Sequence, residues 1–66
     1  MIAEASMLAY LQDRLTDALE DCRIYGPDDR IASKKLNACI ACKDMVETLI
    51  CKPVNLGKDG TVTVGY

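Results

Sequence analysis

Hydrophobic positions in the first part of the chain recur with a helical period. At about 100° per residue, Met7, Leu8, Leu11, Leu15, Ala18, Leu19 and Cys22 fall on one side, and Asp13, Asp17, Glu20 and Asp21 fall opposite. Leu8, Leu11, Leu15, Ala18, Cys22 and Tyr25 also advance in alternating steps of three and four, the spacing of a coiled-coil seam. The pattern predicts a first helix over about residues 3–25. Gly26 can take the left-handed conformation that follows a helix, and Pro27 cannot continue one. Residues 26–28 therefore read as a turn.

A second periodic segment runs from about residue 28 to 51, stopped by Pro53. Asp28 and Asp29 stand at its start, where a carboxylate accepts from free amides and complements the helix dipole. Ile31, Ala32, Ala38, Cys39, Cys42, Met45, Val46, Leu49 and Ile50 share one wide face, with Ser33, Asn37, Asp44, Glu47 and Thr48 away from it. Two helices joined by so short a loop pack antiparallel. Leu36 and Ile40 project toward the polar side, which leaves more apolar surface than one partner helix covers. That surplus predicts a second contact, and another copy of the chain is its simplest source. Leu36, Ile40 and the exposed aromatic Tyr10 are the candidate interface residues.

Beyond Pro53 the period changes to two. Val54 and Leu56, then Val62 and Val64, alternate with polar residues on either side of the stretch Gly57, Lys58, Asp59, Gly60. This predicts a short β-hairpin over about residues 53–66. A lone two-stranded hairpin is marginal in water, so it should dock on the helices or pair with its equivalent in another subunit. The expected fold is one mainly α domain: an antiparallel helical hairpin with a short C-terminal β-hairpin, completed into a helical bundle by oligomerisation. In layout alone it resembles small plasmid-encoded hairpins that dimerise into four-helix bundles; no motif is shared and no residue is carried across.

Composition supports self-association. A chain of 66 residues buries only about 60% of the surface its unfolded form exposes. Half of the residues are hydrophobic, with no Phe and no Trp, so the help that small chains need points to helix interfaces built from small aliphatic side chains. The net charge of −2 argues against a broad nucleic-acid footprint. Glu4 is acidic and the first basic residue is Arg14, so the start lacks the charged region of a signal peptide. No uninterrupted apolar run approaches the ~18 residues of a membrane span. The expectation is a cytoplasmic protein with no membrane contact, whose thiols are kept reduced.

Of the four cysteines, Cys39 and Cys42 form a CxxC, with Cys22 before and Cys51 after it. Four thiolates could make a tetrahedral zinc site, yet this CxxC lies mid-helix with no Gly or Pro beside it. Counting outward from the turn places Cys39 beside Arg14, which displaces it from Cys22 by roughly 12 Å at ~1.5 Å of rise per residue. That exceeds the ~7 Å α-carbon limit for a disulfide. Redox chemistry would want a thiolate at a helix N-terminus or beside a cation, and Lys35 and Lys43 offer little of that. The favoured reading makes all four small buried hydrophobes, with no metal and no cofactor.

Arg30, Lys34, Lys35 and Lys43 are the candidate anion or nucleic-acid contacts, although a lysine such as Lys35 on an apolar face commonly lays its stem there with the ammonium in water. Lys58 between glycines lacks the spacing and strand-to-helix context of a phosphate loop. With no His, acid–base work would fall to carboxylates that ordinary solvation explains. The expected function is a small non-enzymatic protein-binding regulator or inhibitor. It would act as a homo-oligomer on a larger protein, and its size suits a phage or mobile element. Two alternatives use other residues: a nucleic-acid or nucleotide-phosphate binding helical dimer through the four cations, and a zinc-stabilised module through Cys22, Cys39, Cys42 and Cys51.

Overall fold

A computed structural model describes residues 3–65. Its elements are α1 (Glu4–Tyr25), α2 (Arg30–Ile50), β1 (Val54–Leu56) and β2 (Val62–Val64). The boundaries follow from local chemistry. At the end of α1, Gly26 adopts φ 96° and donates its N–H to the Cys22 carbonyl, a geometry that glycine tolerates best. Asp29 then caps α2: its Oδ2 accepts from the amides of Ile31 and Ala32, each at 3.1 Å. Asp28, the other expected cap, lies in the turn. At the far end Cys51 takes a left-handed conformation (φ 58°) and closes the last turn with a bond from its N–H to the Glu47 carbonyl. Pro53 follows and prevents resumption.

The helices pack antiparallel along a molecule of 35 × 18 × 17 Å. Two apolar clusters form the core. Leu15, Ala18 and Cys39 make one, with Leu19, Leu36, Leu56 and Val62 against it. Leu11, Val46 and Val54 make the other, ringed by Met7, Leu8, Cys42, Ile50, Leu56, Val62 and Val64. The buried positions of α2 are Ala32, Cys39 and Val46, one every seven residues, which is the repeat that keeps a stripe facing a neighbouring helix.

The β-strands pair with each other, antiparallel, with Val54 opposite Val64 and Leu56 opposite Val62. Asp59 organises the connecting loop by accepting from both the amide and the hydroxyl of Thr61. Gly60 is buried with φ 92°, and a β-carbon there would lie 2.9 Å from the Thr16 hydroxyl, so this loop can sit on α1 only if residue 60 has no side chain. The hairpin docks on both helices. Glu47 Oε2 accepts from the Val54 amide at 2.7 Å, Gln12 Oε1 from the Val62 amide at 3.4 Å, and Lys52 pairs with Glu4 at 3.2 Å.

Docking of the hairpin changes the reading of Leu36. Helical projection sets this residue toward the polar side, whereas it is half-buried and packs against the Leu15, Ala18 and Cys39 cluster together with Leu56 and Val62. The hairpin extends the apolar floor on that flank of α2. Ile31, Met45 and Leu49, expected within the covered face, are instead about two-thirds exposed (64%, 65% and 64%). The surplus apolar surface exists, but most of it lies on the opposite flank. No described helix is long and apolar enough to cross a membrane.

Candidate protein-binding face

On α1 the hairpin is met by Gln12 and Thr16. Tyr10 stands about 200° around the helix from Gln12, so it points to the other side of the pair. On α2, Glu47 holds the hairpin, and Met45 is likewise about 200° away. The groove between the helices therefore has one covered side and one open side.

The open side is a continuous trough. At one end it is apolar, about 450 Å³, and lined by Met7, Tyr10, Cys42, Met45 and Leu49, with Ser6 at its edge. Tyr10 and Cys42 also line the adjoining depression, which continues past Arg14 and Ala38 to Asp17 and Lys35, with Cys39 as part of its lining. Lys35 is shared in turn with a depression bounded by Asp21, Tyr25 and Ile31. The exposed positions of α2 on this side, Ile31, Ala38 and Met45, repeat every seven residues, each one before a buried position of the intramolecular stripe. Helix α2 thus carries two parallel seams about 100° apart, one filled and one open.

Charges divide the trough. The Lys35 ammonium bridges the helices, 2.7 Å from Asp21 and 3.0 Å from Asp17, and the hydrogen bonds to these carboxylates raise its pKa. Arg14 lies over the Tyr10 ring, 5.4 Å from its centroid, within the range of a cation–π contact. Its carboxylate neighbour is Asp13 at 3.8 Å, a weak exposed pair. On the covered flank Lys43 pairs with Glu47 at 3.2 Å and with Asp44 at 3.5 Å. Glu47 is held below its usual range first by the Val54 amide and then by Lys43.

The sequence-derived candidates are therefore spread over the molecule. Tyr10 lies in the trough, Ile40 is 46% exposed outside it, and Leu36 packs inside the chain. Lys35 and Lys43 are engaged with carboxylates, while Arg30 and Lys34 form no ion pair among the described residues. The thiols are all free: Cys39 buried, Cys22 and Cys42 half-buried, Cys51 exposed. Burial, with the neighbouring Cys42, pushes the Cys39 thiol up, which keeps it protonated and inert. Among the described residues no group of three or more His, Cys, Asp or Glu side chains is placed to hold a metal ion. Met45 and Leu49 were missed as surface residues; the second seven-residue repeat is the signal that would have found Met45, and Leu49 lies one turn beyond it. No family profile, characterised protein or solved structure matches the chain.

Proposed function

We propose that this protein is a non-enzymatic regulator or inhibitor that works by binding protein surfaces, as a homo-oligomer and on a larger partner, through the open side of its helix pair. The observation that carries this reading is the apolar end of the trough, where Met7, Tyr10, Met45 and Leu49 gather at the surface on a chain otherwise rich in charge. Contiguous apolar patches of this kind mark interaction sites. Methionine is well suited to such a surface because its unbranched, polarisable side chain adapts to different contours. The four free thiols support a reducing, cytoplasmic setting.

The test is a photo-crosslinking amino acid placed at Met45 and, as a control, at Thr63 on the exposed side of β2, in cells that express the whole chain. Adducts to protein from Met45 and not from Thr63 are expected. Equal labelling from both positions, or none from Met45, would overturn the reading.

A further inference from the structure

We infer that the open seam of α2 is filled by a second copy of this chain, with the two α2 helices antiparallel about a two-fold axis near Ala38; the inference rests on the protein-binding reading above. Three observations converge on this occupant. The first is the symmetry of the seam. Ile31 and Met45 lie seven residues either side of Ala38, and both are about two-thirds exposed. Reversing the helix about Ala38 sets Ile31 against Met45 of the second copy, apolar on apolar. Alanine at the centre lets the backbones approach closely, since interaxial distance follows the size of the contact residues.

The second observation is area. The chain exposes 4812 Å², whereas a compact monomer of 7.2 kDa exposes about 4,100 Å². The excess, roughly 700 Å², is close to the ~800 Å² that each partner contributes to a standard interface. A standard interface on the open face would bury a comparable area.

The third is charge. Lys35 is shared by Asp17 and Asp21, which leaves two carboxylates with one ammonium between them. Arg14, one turn away on α1, lines the same trough and has only the loose Asp13 contact. A two-fold axis at the level of Ala38 passes between Arg14 and Asp17 and brings Arg14 of each copy within a turn of Asp17 of the other. The face is self-complementary, as a symmetric dimer requires.

The experiment is the native mass of the full chain under reducing conditions, with helicity recorded in parallel. A dimer is expected for the natural sequence and for Ile40→Glu, which lies outside the seam, and a helical monomer for Met45→Glu. A monomeric natural protein overturns the inference, as does a dimer lost in Ile40→Glu and kept in Met45→Glu. Should Met45→Glu fail to fold, a benzophenone amino acid at Ile31 gives an independent readout. Within one straight helix residues 31 and 45 stand about 21 Å apart, so an adduct on the Met45 peptide can come only from a second copy. An adduct on the peptide that holds residue 31 overturns the antiparallel arrangement. A monomer that still crosslinks to another protein from Met45 removes the second copy while the protein-binding reading stands; a monomer with no adduct removes both.

Discussion

Leu11 is wholly buried where the helices and β1 meet, in contact with Val46 and Val54. Leu11→Ala should cost about 2–5 kcal/mol, the usual range for a truncated core leucine, read from the midpoint of urea unfolding. Glu47 acts differently, through charge. Its carboxylate accepts from the Val54 amide and from Lys43, so its pKa in the folded chain is lowered, and Asp59 is lowered in the same direction by Thr61. For both groups the contribution is present above the unfolded carboxylate range of about 4. It is lost as pH falls through the lower folded values. Stability should therefore decline in acid, and Glu47→Gln should flatten part of that limb in unfolding curves taken across pH. Thiol labelling of the native protein should proceed fastest at Cys51 and slowest at Cys39, following exposure and the raised Cys39 pKa.

Helix α2 depends on its first turn, where Asp29 satisfies two amides. Asp29→Ala should lower stability by about 1 kcal/mol, and Asp29→Asn, which retains the acceptor, by less; thermal unfolding of the three proteins separates them. Such boundary chemistry was legible in the sequence because it is local: Gly26, Asp29 and Pro53 act on the few residues beside them. Which flank of α2 would be covered was not legible. That choice is made by the hairpin, held through Glu47, Gln12 and the side-chain-free Gly60, and the contacts to Gln12 and Thr16 join residues far apart in the chain. A projection of α2 alone set Leu36 toward the polar side and Met45 within the covered face, the reverse of their burial. The heptad of the open seam was present all along, offset by one residue from the filled one, and one averaged apolar face merged the two.

At the scale of the molecule, the protein is a slab of two helices with a β-hairpin on one side and an apolar trough on the other. Half of its eight cations are matched closely within the chain: Lys35, Lys43, Lys52 and Arg23 all reach carboxylates. Added salt should therefore change the association of this protein with its partners only weakly, in contrast to the steep dependence of phosphate-backbone binding; sedimentation across an ionic-strength series measures it. In the dimer inferred from the open seam, the hairpin that covers one flank would also set how far assembly can go. A slab that is adhesive on a single side pairs and stops. Removal of the residues after Pro53 would bare Leu11, Val46 and Leu36 while the original trough stays open, and a slab adhesive on both sides has no reason to stop at two. On the pairing inferred from the open seam, a chain that lacks the hairpin should pass from discrete particles to open-ended polymers.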